Sequence, residues 1–261
     1  MYVPAVFFCL ARFCIVALNT RNASLEAMTH PRNVGWGEIG LDYHYDNSPR
    51  DVQRDVFTRQ LRHAVRLGKA ITVHTREADE DTERILKAEV PSEHKVRRTY
   101  KLPSWLQPQQ HLILRRQIHV HCFTDTPDFA QRLLDHFPNL YIGITGACVL
   151  LEKKKDCRRM TDHSLPGVIT FSSNENTSNI VRRMFAQSPA APRIVLETDA
   201  PYMVPANIYG SLPAIKGRLP LCHTAMIPWT AEYVAEVAGG EWDVERVLEL
   251  GKVNAHHVYG I

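Results

Sequence analysis

The feature that most constrains this chain is a short apolar run that ends in acid. Ile194, Val195 and Leu196 are followed by Glu197 and Asp199, and Pro201 then stops the strand. An apolar run without polar alternation describes a strand covered on both faces, as in a parallel sheet. Side chains two apart on a strand share a side, so Glu197 and Asp199 are expected to face the same way. Buried carboxylates need a partner, and for this pair alone a salt bridge or a cap would suffice. Three other stretches repeat the arrangement, however. Val34–Asp42 delivers Glu38, Ala70–Arg76 delivers His74 and Arg76, and Gln117–Phe123 delivers His119 and His121. Four strands far apart in sequence each end in a residue that binds divalent cations. Enzymes of the α/β class gather their sites at strand C-termini, so the pattern predicts one shared metal site.

The segments between these strands carry helical periodicity. Asp51–Leu67 places Val52, Val56, Leu61, Ala64, Val65 and Leu67 at near-helical spacing, and Gly68 ends it. Further helices are predicted at Ser24–His30, Asp79–Ala88, Pro127–Phe137, Asn176–Gln187, Pro228–Ala238 and Val244–Leu250, with a strand at Leu140–Ile144. Alternating strands and helices imply an α/β fold with a parallel sheet. Ligands at several strand ends favour a (β/α) TIM-type barrel, with an open doubly wound sheet as the alternative. No glycine-rich phosphate loop of the dinucleotide or P-loop type is present.

A length of 261 residues suits one large domain or two small ones, and a net charge of +3 permits a polyanionic substrate without arguing for one. The six cysteines show no paired spacing, which predicts reduced thiols and a cytoplasmic or nuclear location. Residues 1–23 form an atypical apolar leader, interrupted by Pro4 and Arg12 and too broken to span a bilayer. Arg97–Arg116 and Ala147–Gly167 lack periodicity and are read as exposed insertions. The basic run Lys153–Lys155 with Arg158 and Arg159 reads as a solvated face, with nucleic-acid contact as the alternative.

Carboxylates and imidazoles together suit Mg²⁺, Mn²⁺ or Zn²⁺ in a catalytic site with open positions. Glu38 could bridge two ions, and Asp199 could bind one and accept the proton of an attacking water. Arg76 shares a side with His74 and could pair with a phosphate, or merely with Glu77 or Asp79. Of the two histidines in Gln117–Phe123, His121 lies nearest the strand end, and His119 is expected to be a core residue.

The words Gly37-Glu38-Ile39-Gly40-Leu41-Asp42-Tyr43, Val73-His74-Thr75-Arg76-Glu77-Ala78, His121-Cys122-Phe123-Thr124 and Glu197-Thr198-Asp199-Ala200-Pro201-Tyr202 resemble the TatD family of metal-dependent deoxyribonucleases. These are barrel hydrolases related to the amidohydrolases. Asn254-Ala255 before Val258-Tyr259-Gly260 resembles the family's closing segment. The likeness runs from about residue 24 to the end, outside the two insertions, and implies one hydrolase domain. It implies Glu38, His74, His121 and Asp199 as metal ligands, with Asp199 and Glu38 catalytic. It places Tyr43, Arg76 and Tyr202 near the substrate. The implied reaction is cleavage of DNA, exo- or endonucleolytic, with Mg²⁺ first among the candidate ions. No membrane association and no obligate protein partner are implied.

The sequence departs from the family at its start. Relatives begin with a strand carrying Asp-x-His-x-His, followed by a second with His-Pro. Here Ile15–Leu18 could take the second strand's place, but Asn19 and Thr20 follow it. The expectation is a barrel incomplete at its N-terminus and a weak nuclease. A catalytically impaired member that keeps the fold is the main alternative. An amidohydrolase of small cyclic substrates is a third, opposed by Glu38 where such enzymes carry a carboxylated lysine.

Overall fold

A computed structural model describes residues 5–8, 25–28, 30–91, 117–146, 175–188, 191–212, 214, 217 and 219–260. Both predicted insertions, Arg97–Arg116 and Ala147–Gly167, lie outside these residues, as does most of the predicted leader. The strands are β1 (Ala5–Phe8), β2 (Asn33–Asp42), β3 (Ala70–Arg76), β4 (Ile118–Val120), β5 (Leu140–Ile144) and β6 (Ile194–Leu196). The helices are α1 (Arg50–Leu67), α2 (Asp79–Glu89), α3 (Pro127–His136), α4 (Asn176–Gln187), α5 (Ile208–Ser211), α6 (Ile227–Ala238) and α7 (Val244–Tyr259). Hydrogen-bonded strand neighbours follow sequence order. The α/β class with a parallel sheet, read from the strand–helix rhythm, is thus the class observed. The contacts group into two compact units, residues 1–119 with 133–140, and residues 120–132 with 141–261.

In the first unit β1 pairs in parallel with β2 and β2 with β3. Ala5 lies opposite Asn33 and Phe8 opposite Gly37, so a strand does precede β2. Helix α1 buries Val56, Phe57, Leu61 and Ala64, and Gly68 caps it in the left-handed conformation at φ 66°. Val52, expected on the apolar face, lies off that stripe and is exposed, and Phe57 is buried instead. Arg62 of α1 donates to both carboxylate oxygens of Glu89 on α2, at 2.8 and 2.7 Å. Ile39, Leu41, Ile71, Val73 and Leu86 are buried with no appreciable exposure and form the core behind β2 and β3.

In the second unit β5 pairs in parallel with β6, Ile142 opposite Ile194 and Ile144 opposite Leu196. Helix α7 is longer than the predicted Val244–Leu250, because the apolar spacing continues through Val258. Asp243 caps its start, accepting from the Arg246 amide at 2.8 Å. Buried Asn254 on α7 donates to the Pro192 carbonyl at 2.9 Å and the Ile194 carbonyl at 2.7 Å. The closing segment thereby fastens the strand that carries Glu197 and Asp199. Among the described residues no helix is long and apolar enough to cross a membrane.

Candidate metal centre

In the first unit the site begins with an irregularity in β2. β2 advances from Trp36 to Ile39 while β3 advances only from Ile71 to Val73, the extra residue of a β-bulge. A Cβ on Gly37 would stand 2.5 Å from the Thr72 Cβ, so only glycine fits beside the bulge. Glu38 is thereby set against His74, with Oε1 2.7 Å from Nδ1. Gly40 pairs with His74 in register, and a Cβ there would meet the His74 carbonyl oxygen at 1.7 Å. The glycines on either side of Glu38 are what bring the two backbones this close. Glu38 does not end its strand, contrary to the sequence reading. The bulge lets β2 continue to Asp42, which is the strand-end acid.

Asp42 divides its carboxylate. Oδ1 accepts from the amides of His44 and Tyr45 at 3.1 and 3.2 Å. Oδ2 lies 3.7 Å from His74 Nε2 and 3.9 Å from an Arg76 guanidinium nitrogen. Burial alone would raise the Asp42 pKa. The His74 imidazole, the Tyr45 amide and the Arg76 charge together outweigh it and lower the pKa from 3.8 to about 2. Arg76 therefore pairs with Asp42, while Glu77 pairs with His44 at 2.7 Å. Tyr43, expected near substrate, is buried and donates its hydroxyl to Asp81 at 2.7 Å, with Arg54 3.3 Å away. Burial, reinforced by the Asp81 carboxylate, raises its pKa.

In the second unit His121 follows directly on β4. Its Nδ1 lies 2.9 Å from Glu197 Oε2, and its Nε2 lies 3.5 Å from Asp199 Oδ1. The Glu197 Oε1 also accepts from the Cys122 amide at 2.5 Å. Glu197 thus fixes the imidazole plane and sets which nitrogen faces Asp199. A carboxylate behind a ligating histidine is a recurrent support in metal sites. A separation of 3.5 Å is long for a hydrogen bond. It suits two donors of one cation, since bonds of about 2.1 Å at near-tetrahedral angles put donors roughly 3.4 Å apart. Ligand atoms of His121, Cys122 and Asp199 all lie within 4.8 Å of one another. The donor chemistry of both units therefore fits a divalent cation.

The structure brings Glu38 together with His74 in one unit, and His121 with Asp199 in the other. His119 is buried, as expected of a core residue, and Tyr202 is 69% exposed on the turn after Asp199. Sequence reasoning missed Asp42 and Cys122 as site members and left Glu197 without a role. The alternation of Glu197 and Asp199 on one strand end was the signal for the last. For Asp42 it was the unbroken run of strand-compatible residues beyond Glu38.

The profile of the family described as "TatD related DNase" matches residues 16–163 and 158–260. Among curated proteins, the "3'-5' RNA nuclease TATDN2" of Homo sapiens is 34% identical over 189 residues, 72% of this chain and 18% of the human protein. The "Uncharacterized metal-dependent hydrolase YabD" of Bacillus subtilis is 25% identical over 90% of this chain and 69% of its own length. The "3'-5' ssDNA/RNA exonuclease TatD" of Escherichia coli is 27% identical over 72% of this chain and 54% of its own length. The chain thus spans about a fifth of the human protein and about half of the Escherichia coli one. Among solved structures, an uncharacterized amidohydrolase from Saccharomyces cerevisiae matches with a TM-score of 0.61 at 19% identity, over 92% of this chain and 68% of that one. The TatD homolog YJJV from Escherichia coli matches with a TM-score of 0.59 at 17% identity, over 94% of this chain and 70% of that one. These likenesses show the fold, the (β/α) barrel class that the strand-end ligands had favoured over a doubly wound sheet.

Proposed function

Because the chain belongs to the TatD related DNase family, we propose that it is a metal-dependent hydrolase of phosphodiester bonds in nucleic acid, removing nucleotides from the 3′ end of single-stranded DNA or RNA. The human and Escherichia coli relatives are named for this polarity. The observation that carries the reading is His121, oriented by Glu197 at 2.9 Å and facing Asp199 at 3.5 Å. In this reading Glu38 with His74, and His121 with Asp199, serve as metal ligands. A divalent ion held by these residues would lower the pKa of an attacking water and neutralise charge on the phosphoryl oxygens. The Asp199 carboxylate receives the proton of the attacking water. Glu197 keeps the His121 imidazole in place, and the Arg76 guanidinium pairs with a phosphate oxygen of the strand. Two imidazoles among the ligands, with the Cys122 thiol near by, favour Mn²⁺ or Zn²⁺ over the Mg²⁺ that the carboxylates alone would suggest. The lack of paired spacing among the six cysteines accords with a reducing compartment, cytosol or nucleus.

The test is a labelled single-stranded oligonucleotide, of DNA and of RNA, incubated with the purified chain and each of the three ions. The expected result is a ladder shortening from the 3′ end, abolished by a chelator and by Asp199→Ala. Metal content is measured in parallel for Glu38→Gln, His74→Ala and His121→Ala. Cleavage that persists in a chelator, or in Asp199→Ala, would overturn the assignment.

A further inference from the structure

The loop after β2 carries three aromatic rings, Tyr43, His44 and Tyr45, and their environments differ. Tyr43 is buried, with its hydroxyl held by Asp81. His44 is tied to Glu77 through Nδ1 at 2.7 Å. Tyr45 is 39% exposed, one of few large apolar side chains so placed among the described residues. The Arg76 guanidinium carbon sits 5.2 Å from its ring centroid, and the His44 ring meets it edge-on at 4.9 Å. The Tyr45 amide is held by the Asp42 carboxylate, whose other oxygen faces His74. The ring is thus fixed from its backbone and braced by a cation and a second ring. The Tyr45 backbone is thereby linked through Asp42 to His74, a proposed metal ligand.

We infer that Tyr45, braced by Arg76 and His44, is a stacking platform for a nucleobase of a single-stranded substrate; the inference rests on the nuclease reading and names a residue that positions the strand. A partly exposed aromatic ring with an arginine against it is an arrangement that binds single strands without regard to sequence. Every base offers a π face, and the arginine adds attraction to the neighbouring phosphate. Rings already held in place lose little freedom when a base stacks on them. Tyr43 takes no part, because its ring is buried.

The experiment measures binding of a phosphorothioate-stabilised, fluorescein-labelled single-stranded oligonucleotide by anisotropy, beside the cleavage assay. An identical strand lacking bases provides the second probe. Stacking is worth about 1–3 kcal/mol per base, so Tyr45→Ala is expected to weaken binding by roughly 5- to 150-fold. Tyr45→Phe is expected to bind like the wild type. On the abasic strand the wild type is expected to bind as weakly as Tyr45→Ala does, which tests the platform even if the variant misfolds. Tyr45→Ala binding the normal strand like the wild type would overturn the proposal. Wild-type binding that is indifferent to loss of the bases would overturn it too. If the wild type binds with base dependence through Tyr45 but cuts with none of the three ions, the platform stands and the nuclease reading falls. If it cuts and Tyr45→Ala binds normally, the reverse holds.

Discussion

Asn254→Ala is the sharpest test of how the closing helix serves the site. The Asn254 amide sits 6% exposed and makes two hydrogen bonds, to the carbonyls of Pro192 and Ile194 at 2.9 and 2.7 Å. Each such bond contributes about 0.5–1.5 kcal/mol net, and a buried group left without a partner costs about 1–3 kcal/mol. Truncation removes both donors and leaves two carbonyls short in the interior, so a loss of roughly 2–4 kcal/mol is expected. For a chain of this size that corresponds to a fall in melting temperature of about 4–16 °C. Urea unfolding followed by circular dichroism gives the free energy, and a thermal scan gives the midpoint. Asn254→Asp should be at least as damaging, because it sets an acceptor against two acceptors. It separates lost bonding from lost volume, since aspartate nearly matches asparagine in size. A change below about 0.5 kcal/mol in both variants, the range of an ordinary surface substitution, would refute the claim that α7 fastens β6 through this side chain.

Three further outcomes are expected. Gly40→Ala should cripple metal uptake as well as stability, because the new Cβ would collide with the His74 carbonyl oxygen at 1.7 Å; calorimetric titration with Mn²⁺ and Zn²⁺ that matches wild type would contradict this. Glu197→Gln should weaken metal binding by about 10–100-fold while leaving the protein folded, as removal of a carboxylate behind a ligating histidine commonly does; unchanged affinity would deny Glu197 its orienting role. Asp42, 24% exposed with its pKa lowered from 3.8 to about 2, stabilises the folded metal-free chain above pH 4. That contribution, at about 1.4 kcal/mol per pH unit roughly 2 kcal/mol, fades as pH falls from near 4 towards 2. Asp42→Asn should flatten this acid limb in urea titrations at stepped pH, and an unaltered limb would count against the ion-pair account.

The elements with long apolar periodicity were legible in the sequence. Asn176–Gln187 and Leu140–Ile144 fall where they were read, because a twelve-residue helical stripe and a short strand buried on both sides leave little choice. Glu38, His74, His121 and Asp199 could be picked out because each sits beside a buried apolar run. Their partners were harder to read, for different reasons. The role of Asp42 depends on a bulge that shifts register by one residue, and no periodicity announces such a bulge. Tyr43 and Tyr45 are the same residue two positions apart, and the partners that meet Tyr43, Asp81 and Arg54 on its hydroxyl and Arg50 on its ring, come from positions further along the chain that the local sequence does not announce. The full length of α7 was missed because Gly251, usually a helix breaker, is there to let the helix approach Leu196 closely, a Cβ there meeting its side chain at 2.9 Å.

The split carboxylate of Asp42 has a consequence for how such a protein can change over generations. One oxygen holds the loop that carries His44 and Tyr45, and the other holds the neighbourhood of His74. A substitution at Asp42 that freed the loop to take a new shape would at the same moment loosen the imidazole. Novelty in the loop must therefore come from exchanging the rings it displays while Asp42 stays. Positions 44 and 45 are free to drift where position 42 is not, and the loop's recognition can diversify without disturbing the histidine beneath it.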